Sequence, residues 1–203
     1  FWTKVDDKES LLVIKAAYNR GINLIDTAPF YGLGHSETII GQAIKPFRDK
    51  IIIATKCGLK PVPGKLHPVV DLSKNFIKEE IDNSLQRLQT DYVDLYQPHW
   101  PDSHTPIEET LDILLELKKQ GKIRHIGLCN HPLDLIKKAQ EYSELISLQH
   151  PYSLLNRSIE EDIMPYVAKN KIGLLAYGSL HGGLLTGKYQ HQPSEPKQSA
   201  KTF

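Results

Sequence analysis

The feature that most constrains the fold of this sequence is a regular alternation of short apolar runs with longer stretches of helical periodicity. Apolar residues recur at helical spacing between the runs, as they do at Leu11, Ile14, Ala17 and Tyr18. Strands separated by helices predict βαβ units and therefore a parallel sheet with right-handed crossovers. The runs, rich in Ile, Leu and Val, predict strands over residues 22–27, 51–55, 92–97, 123–128, 145–149 and 172–177.

Polar side chains decide between the two architectures that such a pattern allows, a doubly wound open sheet and a closed (β/α)8 barrel. In an open sheet, binding residues concentrate at one topological switch point. In a barrel, the C-terminal end of every strand faces one central site. The sequence favours the barrel, because a polar residue stands at or just beyond the end of each predicted strand: Asp26, Lys56, His99, Asn130, Gln149 and Tyr177.

The number of predicted strands is smaller than a barrel requires. A (β/α)8 barrel has eight strands and typically about 250 residues, whereas this sequence has 203 residues and six predicted strands. We expect one barrel domain over residues 1–203, in which the chain supplies strands 2–7 and strands 1 and 8 are missing. The polar segment 190–203 is predicted to be a mobile loop.

Charge and cysteine usage exclude several classes of protein. The chain has 25 basic and 24 acidic residues, a formal net charge of +1, so it offers no electrostatic case for a nucleic-acid or anionic-membrane partner. No apolar run reaches the roughly 18–20 residues that cross a bilayer. Cys57 and Cys129 are too few for a disulfide framework and lack zinc-ligand spacing. These features predict a cytoplasmic protein without a bound metal.

Three shorter patterns concern helix starts and phosphate binding. Gly32 and Gly34 before a helix imitate a dinucleotide fingerprint, but Glu37 stands where the third glycine would be. Ser36 is predicted to cap that helix instead. Thr105 opens a predicted capping box before the helix that starts near residue 106.

Four side chains at or near strand ends form the candidate catalytic group: Asp26, Tyr31, Lys56 and His99. Taken singly, an Asp after a strand is commonly a turn or cap residue, a His is commonly a structural residue and a Tyr in a loop usually packs. The lysine differs, because burial of an ammonium group is costly unless an anion lies nearby.

Together these four residues predict acid catalysis by Tyr31. A lysine ammonium about 4 Å from the phenol would stabilise the phenolate by roughly 4 kcal/mol at an effective dielectric of 20 and lower its pKa by about three units. Asp26 would keep Lys56 charged, and His99 would position a substrate oxygen. Such an acid can protonate a carbonyl oxygen. The hydride needed to complete a reduction implies a nicotinamide cofactor.

Several longer motifs resemble the aldo-keto reductase family, in family order between residues 6 and 189. They are GINLIDTA at 21–28 followed by Tyr31-Gly32, DYVDLY at 91–96 leading to His99-Trp100-Pro101, GKIRHIG at 121–127 leading to Asn130, and GLLTGKY at 183–189. The resemblance implies a tetrad of Asp26, Tyr31, Lys56 and His99 with Tyr31 as the proton donor. It also implies metal-independent reduction of small aldehydes and ketones to alcohols by NADPH.

The resemblance further implies which residues bind cofactor and substrate. Asn130 and Gln149 match the pair that holds the nicotinamide carboxamide, and Tyr177 matches the aromatic residue that stacks on the nicotinamide ring. Trp100 and Trp2 match walls of the substrate pocket. The other residues implied in cofactor binding are Asp26, Cys129, Gly178, Ser179, Leu180, Gly183 and Lys188.

Within the family, the segments Tyr177-Gly178-Ser179-Leu180 and His99-Trp100-Pro101-Asp102 are most similar to bacterial general-stress-type reductases. Cys129 departs from the family, which usually has Ser at this position, and a thiol is a weaker hydrogen-bond donor. Members of the family bind the adenosine 2′-phosphate with basic side chains in a segment after strand 8. We expect this segment to be missing here, so the preference for NADPH over NADH rests on the resemblance alone. An alternative stays open: a cofactor-sensing, non-catalytic subunit of the same fold.

Overall fold

The computed structural model describes residues 6–64 and 67–189 and groups the chain into two compact units that meet in sequence between Ile146 and Ser147. Trp2 and the predicted mobile segment 190–203 lie outside the described residues. The organisation as one domain stays a prediction.

The first unit alternates helices with parallel strands. Its strands β1, β2, β5 and β6 lie side by side in that order, all parallel, and a short antiparallel hairpin, β3–β4, follows β2. A 3-10 helix, Lys45–Lys50, precedes β2. The elements are α1 (Asp7–Asn19), β1 (Leu24–Asp26), α2 (His35–Ile44), β2 (Ile52–Cys57), β3 (Leu59–Lys60), β4 (Val69–Val70), α3 (Lys74–Leu88), β5 (Val93–Pro98), α4 (Ile107–Lys119), β6 (Ile123–Cys129) and α5 (Leu133–Tyr142).

The second unit contains two parallel strands and one α-helix: β7 (Ser147–Pro151), α6 (Ile163–Asn170) and β8 (Gly173–Tyr177). A 3-10 helix, Ser158–Glu160, precedes α6, and another, His181–Thr186, follows β8. All six predicted strands are therefore confirmed, each within a few residues of its expected bounds. The sequence did not predict the β3–β4 hairpin, because strands of two residues are too short to show an alternating pattern.

Helix faces predicted from periodicity form the core of the first unit. Ile77 and Ile81 of α3 and Leu111 and Leu114 of α4 are fully buried. A buried leucine or isoleucine contributes about 1.5–3 kcal/mol relative to an exposed one, so these faces hold the helices against the sheet. The predicted face of α1 is only half-buried.

The helix starts differ from those predicted at Ser36 and Thr105. Helix α2 begins at His35 after Gly34, and the Ser36 hydroxyl pairs with the Thr27 hydroxyl at 3.0 Å. Helix α4 begins after Pro106, and the Thr105 hydroxyl donates to Asp102 Oδ2 at 2.9 Å. Both cap predictions were wrong because each hydroxyl bonds to a side chain of an earlier residue, Thr27 for Ser36 and Asp102 for Thr105, instead of to the backbone of the helix.

Within residues 6–64 and 67–189, none of the helices has the length and apolar character required to cross a bilayer.

A charged cluster ties together the N-terminal ends of three strands of the first unit. Asp94 of β5 accepts hydrogen bonds from Arg48 at 2.9 Å, from Arg124 of β6 at 2.9 Å and from the backbone N–H of Ile53 of β2 at 3.0 Å. The Tyr92 ring contacts both guanidinium groups, whose Cζ atoms lie 4.2 and 3.8 Å from its centroid. In (β/α)8 barrels, residues at this end of the strands serve stability rather than catalysis.

We predict that Asp94→Ala destabilises the protein by about 3–5 kcal/mol, because it leaves the largely buried charge of Arg48 without its carboxylate partner and the Ile53 N–H without its acceptor. Urea unfolding measures the change. The control is Asp82→Ala, which removes an exposed ion pair with Lys122 and should cost less than about 1 kcal/mol. Equal losses in the two variants would contradict the structural role of Asp94.

Candidate active site

The side chain of Lys56 is buried at the C-terminal end of β2, with only 1% of it exposed. Its ammonium nitrogen lies 2.9 and 3.0 Å from the two carboxylate oxygens of Asp26 and 2.8 Å from the backbone oxygen of Thr27. The hydroxyl of Tyr31 lies 3.4 Å from the same nitrogen. Lys56, Asp26 and Tyr31 therefore meet as the sequence predicted.

The direction of the hydrogen bonds around Lys56 determines what Tyr31 can do. An ammonium group has three N–H donors and no lone pair. One N–H shared by the two Asp26 oxygens and one directed at Thr27 leave the third for Tyr31, whose oxygen must accept it. The phenolic proton of Tyr31 then points to another acceptor, as a proton donor requires.

The pKa of Tyr31 is raised, contrary to the lowering expected from sequence. Burial is the largest cause, Lys56 lowers the pKa, and the Asp26 carboxylate raises it again. The expectation was wrong in sign because it counted only the lysine. The phenol is consequently protonated at neutral pH and holds the proton that an acid catalyst transfers.

His99 follows β5 directly and presents its ring edge-on to Tyr31, with ring centroids 6.0 Å apart and an interplanar angle of 77°. Its backbone N–H donates to Cys57 O at 2.8 Å. Burial and then the nearby Lys56 charge lower the pKa of His99 to about 3. The imidazole is therefore neutral and can donate one N–H to a polar group beside the phenol.

Asn130 and Cys129 end β6 next to this group. Asn130 adopts a left-handed backbone conformation, with φ of 61°, which Asn tolerates better than most residues. Its amide nitrogen donates to His99 O at 3.0 Å and to the Cys129 sulfur at 3.1 Å. Burial raises the pKa of Cys129 to about 12, so the residue is a thiol and accepts from Asn130.

In the second unit, the residues predicted to bind cofactor lie on β7, at the end of β8 and on the segment that follows β8. Gln149 is buried on β7, and Tyr177 ends β8 with 38% of the residue exposed. The space where a Cβ atom of Gly178 would lie is open, with no atom within 4 Å. Gly183 has a φ of 94°, and a Cβ atom there would lie 2.6 Å from Lys188 Nζ, so glycine allows this close approach.

Each unit offers groups that suit part of a nicotinamide dinucleotide. In the first unit, the amide of Asn130 can hydrogen-bond a carboxamide. In the second unit, the amide of Gln149 can do the same, the exposed ring of Tyr177 offers a stacking surface, and Lys188 can offer a cation to a pyrophosphate. Ser179 also lines a cavity of about 400 Å³ with Tyr152, Ser153 and Arg157.

The structure thus brings the predicted tetrad together within the first unit, beside Cys129 and Asn130. Trp100 follows His99 and is 43% exposed, whereas Trp2 lies outside the described residues. Among the residues that the structure describes, no cluster of three or more His, Cys, Asp and Glu could hold a metal ion. The roles of these residues stay predictions.

Sequence reasoning missed the polar residues on the helix-facing side of β2. Thr55 and Glu37 are fully buried and hydrogen-bonded to each other at 2.7 Å. Arg87 of α3 donates to Glu37 at 2.8 Å. The available signal was the position of Glu37 three residues before Ile40, a helical spacing that places a carboxylate on the apolar face of the helix.

The sequence matches the aldo/keto reductase family over residues 1–202. The chain belongs to this family. It is 48% identical over 189 residues to aldo-keto reductase YhdN of Bacillus subtilis, an alignment that covers 92% of this chain and 56% of YhdN. It is 44% identical over 186 residues to the NADH-specific methylglyoxal reductase of Escherichia coli, covering 86% of this chain and 57% of that protein.

Solved structures of aldo/keto reductases confirm the (β/α)8 barrel class. The glycerol dehydrogenase of Gluconobacter oxydans superposes with a TM-score of 0.90 at 40% identity, covering 98% of this chain and 62% of that one. An aldo-keto reductase of Klebsiella pneumoniae in complex with NADPH gives a TM-score of 0.78 at 28% identity, covering 91% and 63%. The chain therefore spans about three fifths of the length of these relatives.

For this aldo/keto reductase we predict that the His99 imidazole stays neutral from pH 5 to pH 8, because its folded pKa of about 3 lies far below its usual value of about 6.5. Nitrogen-detected NMR of a histidine-labelled sample measures this. Because the folded pKa is depressed, His99 removes folding free energy as the pH falls from about 6.5 towards 3. Protonation of His99 near pH 6.5 would contradict the electrostatic description of the site.

Proposed function

We propose that this aldo/keto reductase reduces small aldehydes and ketones to alcohols, with Tyr31 as the proton donor and NADPH as the hydride source. The observation that carries the proposal is the hydrogen-bond arrangement at Lys56, which leaves the phenolic proton of Tyr31 available to a substrate. A nicotinamide cofactor, when bound, would supply the hydride for this reduction.

The residues of the chain supply the other half of the reaction. The Tyr31 hydroxyl donates its proton to the carbonyl oxygen as negative charge develops there. Lys56, 3.4 Å from the same hydroxyl, stabilises the phenolate that remains. Asp26 keeps the ammonium charged and oriented, and the neutral His99 ring donates an N–H that positions the carbonyl oxygen. General acid catalysis of this kind contributes about 10²–10⁴-fold to a rate.

We propose that Asn130 and Gln149 hold the nicotinamide carboxamide, while Tyr177 stacks on its ring. The Gly178–Leu180 segment, Gly183 and Lys188 would bind the pyrophosphate. Trp100 would form a wall of the substrate pocket. The amide, aromatic and cationic groups of these residues support the assignments. A cytoplasmic location for the enzyme stays a prediction.

The choice between NADPH and NADH needs a direct measurement. The relatives differ in cofactor, since the Escherichia coli protein is NADH-specific and the Klebsiella pneumoniae structures hold NADP or NADPH. We propose NADPH as the preferred cofactor, to be tested by comparing kcat/KM for the two cofactors with one aldehyde.

We predict that Tyr31→Phe lowers kcat for an aldehyde by about 10²–10⁴-fold at neutral pH, because it removes only the transferable proton. The phenyl ring keeps the shape of the site, so cofactor affinity should change less than about twofold. Steady-state kinetics and fluorescence titration with NADPH measure the two effects. Tyr142→Phe, which alters an exposed hydroxyl bonded to Asp112, is the control and should retain wild-type kinetics.

The same measurements distinguish a reductase from the alternative, a cofactor-sensing subunit without catalytic activity. A cofactor-sensing subunit would bind NADPH tightly, but the wild-type protein would show negligible turnover with a panel of aldehydes and ketones. Wild-type turnover that survives in Tyr31→Phe would instead show that another group donates the proton.

A further inference from the structure

The loop that carries Tyr31 is a compact series of turns rather than part of a helix or strand. We call residues 28–34 the tyrosine loop. Within and just beyond it, backbone hydrogen bonds join Tyr31 N to Ala28 O, Leu33 N to Phe30 O, and Ser36 N to Tyr31 O, at 3.0–3.3 Å. These internal hydrogen bonds hold the loop together as one piece. The position of the Tyr31 hydroxyl therefore depends on how the two ends of the loop are fixed.

Both ends of the tyrosine loop are fixed to consecutive residues of β2. At the first end, Thr27 N donates to Ala54 O at 2.9 Å. At the second end, Glu37 in the first turn of α2 accepts a hydrogen bond from the Thr55 hydroxyl at 2.7 Å. Lys56 is the next residue of β2, so the strand that carries the ammonium also fixes the loop that carries the phenol.

Arg87 completes the second attachment. Its Nε donates to the other oxygen of Glu37 at 2.8 Å, which neutralises a fully buried carboxylate. The stem of Arg87 packs under Gly34, where a Cβ atom would lie 2.6 Å from Arg87 Cδ. Gly34 also has a φ of 92°, so a glycine is required at this position for two reasons.

We propose that Thr55, Glu37 and Arg87 act as positioning residues, which set the distance between the Tyr31 hydroxyl and the Lys56 ammonium group. They lie on the helix-facing side of β2, since side chains of adjacent strand residues point to opposite faces. None of them needs to touch substrate or cofactor. The inference rests on the proposed function, because it assigns these residues to the proton-transfer step.

The arrangement gives the buried carboxylate of Glu37 a role that a hydrophobic side chain could not fill. Burial of a charge is unfavourable even when it is paired, and a hydrophobic replacement is often neutral or stabilising. The charge of Glu37 is therefore expected to add little to the stability of the folded protein. A carboxylate with two oxygens, however, can join β2 and α3 to the loop at once.

The test is Thr55→Val, which removes the hydroxyl and preserves the shape and the Glu37–Arg87 ion pair. We expect kcat to fall about tenfold or more, because small misplacements of reacting groups reduce rates steeply. NADPH affinity should remain within about twofold. Thr55→Ser keeps the hydroxyl and should restore most of kcat.

The matched control is Ser84→Ala. Ser84 is also buried and accepts a hydrogen bond from Arg87 at 3.3 Å, a bond that involves neither Glu37 nor β2. This variant should keep wild-type kcat even if its unfolding midpoint falls. Arg87→Lys tests the same proposal if Thr55→Val does not fold. This variant keeps the positive charge but alters the contact with Glu37 and Gly34, and we expect it to lower kcat.

A crystal structure of Thr55→Val gives a readout that does not depend on turnover. We expect the distance from Tyr31 Oη to Lys56 Nζ to exceed its present 3.4 Å. Unchanged distance and unchanged kcat in Thr55→Val would overturn the positioning role, as would equal losses of kcat in Thr55→Val and Ser84→Ala. Failure of the proposed function is distinguishable, since it would appear as absent turnover in the wild-type protein.

Discussion

The burial of the Lys56 ammonium group is the constraint on which the site depends. An ammonium group removed from water must find acceptors nearby, and the parallel sheet supplies them. The register pairs Asp26 of β1 with Ala54 of β2 and Lys56 with Gln97 of β5. Asp26 therefore lies beside the lysine, and His99 follows two residues after Gln97. The same register that satisfies the charge assembles the catalytic group.

Different parts of the first unit carry different functions. The catalytic group lies at the C-terminal ends of the strands, where burial shifts the pKa values of Tyr31, His99 and Cys129. The N-terminal ends carry Asp94, which joins β5 to the neighbouring strands through arginine contacts that serve stability. The helix-facing side of β2 carries a third set, Thr55 with Glu37 and Arg87, which joins the tyrosine loop to the strand. A variant can therefore lose activity without loss of stability, or the reverse.

The sequence predicted the strands and the tetrad because both leave local signals, namely apolar runs and a polar residue at the end of each run. It could not predict the sign of the Tyr31 pKa shift, which depends on burial and on the Asp26 charge in three dimensions. It also missed Glu37, whose partners Thr55 and Arg87 lie 18 and 50 positions away. The cap predicted at Thr105 was wrong for a different reason, since Asp102, only three positions earlier, accepts the hydrogen bond of its hydroxyl.

The most direct test of the account is the rate of hydride transfer in Lys56→Met, measured in a single turnover at neutral pH with NADPH bound. Methionine keeps the length of the stem and removes the charge, and Asp26 is exposed enough to be solvated. The account predicts a fall of about 10²-fold or more with cofactor affinity nearly unchanged, because the phenolate of Tyr31 loses its stabilising cation. A transfer rate within a few-fold of wild type would contradict the claim that the buried ammonium enables Tyr31 to act as the acid.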